Sequence, residues 1–241
     1  RSFGVNEFIG DRKIPSDMTE ILSLAEEYLL KIGFDFVKIN KKPDGSSLPN
    51  PILMAELFSG KNKPTLLLYA HLDKQPYMDD EKFKKWGGIP PTELRWNEDK
   101  TRAYGRGAAD DLAGVTAIGM AVDALLKGSG FGSESTSKEE KNNLPCNIKV
   151  IYETEEEAGS KTLIEQITQN REFFESSDCV LITDVINPDQ GIPGLTTCLR
   201  GLVQINISIK AEKGSQVKID AQTALYKLLA TLIHDDHSLA I

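Results

Sequence analysis

Apolar residues first fall into a regular pattern over residues 17–32. There Ile21, Leu22, Ala25, Tyr28, Leu29 and Ile32 recur at helical spacing, and Gly33 follows as a stop. Residues 36–39 and 52–58 predict strands. Residues 65–70 (TLLLYA) form a continuous apolar run between Lys-Pro and His-Leu-Asp. Such a run predicts a strand covered on both faces, as in a sheet flanked by helices. Residues 112–126, rich in small and apolar side chains, predict a buried helix that ends near Gly128. Residues 147–152 predict a strand that runs into the acidic stretch 153–159. Residues 160–168 then predict a helix, and 179–183 a further short buried strand.

The segment 127–143 (KGSGFGSESTSKEEKNN) cannot bury much apolar surface and reads as a mobile surface loop. The pattern changes near Arg200. Val203, Ile205, Ile207 and Ile209 alternate with Gln204, Asn206, Ser208 and Lys210, which predicts a strand with one wet and one buried face. A helix follows, with Ala221, Ala224, Leu225, Leu228 and Leu232 on one stripe. A one-sided sheet under a helix is a different layer from the buried sheet before it. The prediction is therefore an α/β domain over residues 1–199, with a mixed, mostly parallel sheet flanked by helices. Part of a small α+β domain would follow over 200–241, a piece of about forty residues near the lower limit for independent folding.

Composition narrows the class. The net charge of −8 comes with no basic stripe, which argues against a nucleic-acid partner. No apolar run reaches the roughly 18 residues that a membrane helix needs. The first residues, 1–11, lack the apolar core of a signal peptide, although the chain does not begin with Met and a leader could precede it. Cys146, Cys179 and Cys198 sit in or beside apolar stretches and read as small buried hydrophobes rather than a disulfide framework.

Four groups of residues carry candidate chemistry. His71-Leu72-Asp73 follows the buried strand TLLLYA directly. Residues two apart on an extended segment point the same way, so Asp73 can hydrogen-bond the His71 imidazole, as a carboxylate behind a metal-bound histidine does. Alone, so short a pattern reads first as a histidine at a strand end. Gly105 to Asp110 (GRGAAD) is a glycine turn, and Asp110 and Asp111 open the apolar helix. Asp111 reads as an acid favoured by the helix dipole, and Asp110 is the better candidate ligand. Glu153, Glu155, Glu156 and Glu157 crowd four carboxylates into five residues at a strand end. That is costly without a cation, unless the run is simply a solvated acidic loop. Asp184 follows the strand at 179–183 and alone reads as a turn residue. Jointly, one imidazole and several carboxylates on one sheet edge suit zinc, manganese or cobalt. The excess of carboxylates suits two ions bridged by a shared Asp.

At these residues the sequence resembles the family of dinuclear zinc peptidases and deacylases that includes carnosinase, aminoacylase and acetylornithine deacetylase. Its four ordered motifs stand here as HLD, GRGAAD, EEAGS and ITD. Residues 71–76, 86–107 and the Leu-Arg-Gly at 199–201 also look family-like, and the resemblance spans about 64–209. It implies that His71 and Asp184 ligate one metal, Glu157 the other, and that Asp110 bridges both. Asp73 would orient His71. Glu156 would be the general base, acting on a water shared by two Zn2+ (or Co2+ or Mn2+). The implied activity is hydrolysis of an amide bond in dipeptides or short peptides. An N-acyl amino acid deacylase and a non-catalytic metal-binding domain are the alternatives. A homodimer formed through the lid, where the lid is complete, is also implied, and a cytoplasmic location is expected.

The sequence departs from the family in several places. Lys74 stands where carnosinase-like members commonly have an apolar residue, and Leu112 lies near a position that is Lys in many relatives. The family's His-Ser-Gly lid motif and its far C-terminal metal-binding histidine are not found. His71, His234 and His237 are the three histidines, and the last two read as the polar end of the preceding helix. The expectation is a chain matching the first half or so of such an enzyme, with the opening strand and helix of its lid.

Overall fold

The computed structural model describes residues 16–76, 84, 87–127, 141, 143–189, 191–202, 204–210, 220–234, 236 and 238. It divides into two compact units, Arg1–Pro193 and Gly194–Ile241. The loop predicted at 127–143 lies almost wholly outside the described residues.

In the first unit, α1 (Ser16–Ile32) buries Met18, Leu22, Ala25, Leu29 and Ile32, one residue per turn. It stops at Gly33, which has φ 122°, a left-handed conformation that favours glycine, and whose N–H reaches back to the Leu29 carbonyl at 3.2 Å. The strands are β1 (Phe36–Ile39), β2 (Leu53–Leu57), β3 (Thr65–His71), β4 (Arg95–Trp96), β5 (Ala103–Tyr104), β6 (Asn147–Glu153) and β7 (Cys179–Ile182). The helices after α1 are α2 (Leu112–Lys127), α3 (Leu163–Gln169) and α4 (Arg171–Glu175). The main sheet runs β1-β2-β6-β3-β7, and β4 pairs with β5 as a separate hairpin. β1 to β2 and β2 to β6 are antiparallel, whereas β6 to β3 and β3 to β7 are parallel. This is the predicted mixed sheet flanked by helices.

The period-two alternation of the strands splits the core into two layers. Leu53, Ala55, Leu57, Leu68, Ala70, Ile148, Val150 and Tyr152 pack with the stripe of α1 and with Val115, Ile118 and Val122 of α2. Ile52, Met54, Leu67 and Ile151 face the other way, against Leu163, Phe173 and Phe174 of α3 and α4. Central strand β6 is buried at every residue, including Lys149. The Lys149 ammonium is satisfied there by the Phe173 carbonyl and the Ser176 hydroxyl, both at 2.6 Å, and it lies 4.4 Å from the Phe173 ring centroid.

Three expectations fail. β7 is not buried: Val180 and Ile182 are 57% and 50% exposed, because β7 is the last strand of the sheet and has one strand neighbour among the described residues, β3. For the same reason Cys179 is exposed. Cys198, in the second unit, is exposed too and Cys146 is half-buried, so the buried-cysteine reading does not hold. The alternating segment near 203–209 forms no strand among its described residues, and Ile205 is 68% exposed. Alternation supplies a two-faced ribbon, but a strand also needs a partner's hydrogen bonds. The helix that follows, α5 (Ala221–Ala230), forms as predicted, and the Asp220 side chain caps it by accepting from the Thr223 N–H at 2.8 Å.

Leu29 is fully buried where α1 meets the sheet. Leu29→Ala is expected to cost roughly 2–5 kcal/mol in a urea titration; an unchanged midpoint would contradict this packing.

Candidate metal centre

Parallel pairing brings the chemistry together. β3 and β6 run side by side in a register that sets His71 opposite Glu153. β7 runs parallel on the other side of β3, with Tyr69 opposite Ile182. All three strands therefore release their carboxyl ends at one edge: β3 into His71-Leu72-Asp73, β6 into the acidic turn, β7 into Thr183-Asp184. The N-terminus of α2 meets that edge with Asp110 and Asp111. In open α/β sheets this is where ligands collect.

His71 lies fully buried at the centre. Its Nε2 is 3.0 Å from Asp110 Oδ1, 3.6 Å from Asp184 Oδ2 and 3.8 Å from Glu156 Oε2. Its Nδ1 is 3.0 Å from the Asp73 carbonyl oxygen and 3.4 Å from Asp73 Oδ1. Among the described residues, two groups of three have candidate ligand atoms within 4.8 Å of one another: His71, Asp110 and Asp184, and His71, Glu156 and Glu157. All six residues singled out in the sequence thus converge. The geometry gathers Glu156 and Glu157 in the same group and does not by itself divide base from ligand.

The acidic turn divides its carboxylates by environment. Glu153 is buried and accepts from the Tyr69 hydroxyl at 2.5 Å. Glu155 is buried and accepts from Asn50 Nδ2 at 2.9 Å, from the Thr162 N–H at 2.8 Å and from the Thr162 hydroxyl at 2.7 Å. Glu156 and Glu157, in a single 3-10 turn (Glu156–Ala158), are half-buried on the His71 side. Two of the four acids are structural, therefore, and two line the site.

Sequence reading missed several supports. The Asp73 carboxylate does more than face His71. Its two oxygens accept from the backbone N–H groups of Glu156 and Glu157, at 3.1 and 3.0 Å, and so hold the acidic turn. Gln75 Nε2 donates to Glu157 Oε2 at 2.8 Å, and the Gln75 N–H donates to Oε1 at 3.2 Å. Its position two residues past Asp73 on an extended segment was the available signal. Asp111 is not merely a helix-dipole acid. It is buried, and its carboxylate accepts from the N–H groups of His71 and Gly114, each at 3.2 Å. A methyl group at Gly114 would collide with Asp111 and with the Thr183 hydroxyl, so this glycine allows the end of β7 to approach α2.

Burial pushes the Asp111 carboxyl up to about 6 and also raises that of Glu156, with Asp184 and Glu157 adding to the latter shift and His71 opposing it. Burial pulls Lys74 down to about 8, against the pull of Asp73, Asp110, Asp111 and Glu157. Burial would lower His71 too, but Asp73, Asp184 and Glu156 outweigh it and hold the imidazole at about 9. A site that keeps a histidine protonated in this way is rich in negative charge awaiting a cation. One imidazole with four carboxylates is a hard-to-borderline donor set that fits divalent zinc, cobalt or manganese.

The fold and this edge place the chain in a known class: it belongs to the peptidase family M20/M25/M40, whose model matches residues 67–238. It is 35% identical over 204 residues to the Beta-Ala-His dipeptidase of Mus musculus, a match covering 82% of this chain and 38% of that protein. It is 31% identical over 169 residues to a Cys-Gly metallodipeptidase of Schizosaccharomyces pombe, covering 69% of this chain and 32% of that one. Among solved structures, human carnosine dipeptidase 1 shares the fold, with a TM-score of 0.53, 23% identity and coverage of 95% and 47%. A dipeptidase from Saccharomyces cerevisiae matches with a TM-score of 0.52, 26% identity and coverage of 70% and 34%. The chain spans about a third to a half of the length of these relatives.

The His71 shift makes metal binding pH-dependent with a definite sign. The metal-free imidazole is protonated below about 9 and must be neutral to ligate. Zinc binding at pH 7 should therefore expel about one proton from His71, and affinity should rise about tenfold per pH unit towards 9 from this group alone. Calorimetry in buffers of different ionisation enthalpy checks this; identical heats in every buffer would contradict it.

Proposed function

We propose that this chain carries most of the active site of a dinuclear metallodipeptidase. The observation that carries the reading is the convergence on His71 of two separate carboxylate pairs, Asp110 with Asp184 and Glu156 with Glu157, from the ends of parallel strands and the start of α2. Its relatives include a Beta-Ala-His dipeptidase and a Cys-Gly metallodipeptidase, which supports a dipeptide or short peptide as substrate. In this reading His71, Asp110 and Asp184 hold one ion, and Glu157 with Asp110 holds the other. Two Zn2+ ions, or Co2+ or Mn2+ in their place, would supply Lewis acidity toward water and the substrate carbonyl. Asp73 fixes the His71 ring and keeps Nε2 directed into the site.

Glu156 is the general base. Its Oε2 lies 3.8 Å from His71 Nε2, and burial raises its pKa, the direction that makes a carboxylate a better base. It takes a proton from the attacking water and returns it to the leaving nitrogen, which balances the hydrolysis. A homodimer through the lid segment 200–241 belongs to the same reading. Its support is an alternating segment whose Ile205 and Ile207 lie exposed with no strand partner among the described residues. A cytoplasmic location belongs to the same reading.

Glu156→Gln keeps the shape and removes the base. It is expected to lower kcat on a dipeptide by a hundredfold or more, roughly, while zinc still binds. Turnover equal to wild type would sink the mechanism. A substrate panel in the same assay decides the chemistry: free amino acids from dipeptides support the reading, and acetate from N-acetyl amino acids alone would turn it into a deacylase.

A further inference from the structure

Lys74 follows Asp73 directly, yet it is buried. Its Nζ donates to the Leu72 carbonyl at 3.1 Å, which folds the side chain back under the strand end. Its methylene stem lies against Gly107, in the glycine turn that leads to Asp110. Gly107 has φ 80°, and a methyl group there would collide with Cγ, Cδ and Cε of Lys74. The carboxylates of Asp73, Asp110, Asp111 and Glu157 all act on its ammonium. A buried ammonium is costly unless it is paired, and here its counter-charges are those of the site itself.

We infer that Lys74 is a positioning residue of the metal centre: its stem seats the GRGAAD turn beneath Asp110, and its ammonium offsets the site's carboxylate charge when no metal is bound. The inference rests on the metal-centre reading and deepens it. A fixed positive charge beside the ligands has two effects of opposite sign. It lowers the mutual repulsion of the carboxylates in the metal-free protein, and it repels an arriving divalent cation. Lys74 thus preserves the shape of the empty site at a cost in affinity.

The test uses the full chain, with zinc itself as the probe. Lys74→Met keeps the stem and removes the charge; Lys74→Ala removes both. Thermal unfolding is followed with and without zinc, and zinc affinity is measured by competition with a chromophoric chelator. Lys74→Met should unfold at a lower temperature than wild type without metal, and should bind zinc more tightly, by roughly tenfold. Lys74→Ala should bind zinc more weakly than Lys74→Met, because the turn has lost its seat. If Lys74→Met fails to fold without metal, zinc must restore its fold, and failure to do so counts against the inference. A Lys74→Met protein matching wild type in both metal-free stability and zinc affinity would overturn it, since a side chain that only fills space would give that result. Zinc that binds neither wild type nor variant would overturn the metal-centre reading itself, a different outcome from an unchanged variant.

Discussion

Asp73 is fully buried, and its carboxylate touches two different parts of the site at once. It lies beside His71 Nδ1 and accepts the amide hydrogens of Glu156 and Glu157. A buried carboxylate without partners would be expensive, so the residue is stable only when β3 and β6 end level with one another. That condition is the parallel register of the two strands, with His71 opposite Glu153. One side chain therefore couples sheet register to the direction of the imidazole and to the height of the acidic turn. Gln75 and Asp111 tighten the same arrangement from either side, the first through the Glu157 carboxylate and the second through the His71 N–H.

Charge density follows from that geometry. Strands β2, β3 and β6 are anchored by apolar layers on both faces of the sheet, against α1 and α2 on one side and α3 and α4 on the other, so the edge can hold acids that would otherwise drive one another apart. The two buried acids of the acidic turn have protein partners: Glu153 accepts from Tyr69, and Glu155 from Asn50 and Thr162. The rest, Asp110, Asp184, Glu156 and Glu157, surround one imidazole, whose basicity Asp73, Asp184 and Glu156 raise.

Much of this was legible in the sequence, for physical reasons. The continuous apolar run at 65–70 marks a strand covered on both faces, 147–152 reads as a strand beside it, and the chemistry-bearing residues follow both directly. His71, Asp73, Asp110, Glu156, Glu157 and Asp184 could be picked out because each stands at a strand end or a helix start. Partnerships that depend on tertiary approach could not be read. The hold of Asp73 on two backbone amides, and the burial of Asp111 behind His71, exist only once β3, β6 and α2 are assembled. Exposure was misjudged at β7 and at 204–210 for one shared reason. An apolar or alternating pattern states what a segment could bury, and the neighbour that would bury it lies elsewhere in the chain or outside it.

The central claim is that this sheet edge binds divalent metal through Asp110. Calorimetric titration of the chain with zinc, run beside Asp110→Ala, tests it most directly. The account predicts stoichiometric binding to the wild-type chain that is lost in the variant, since Asp110 is the carboxylate nearest His71 Nε2. No binding, or binding that Asp110→Ala leaves unchanged, would contradict it.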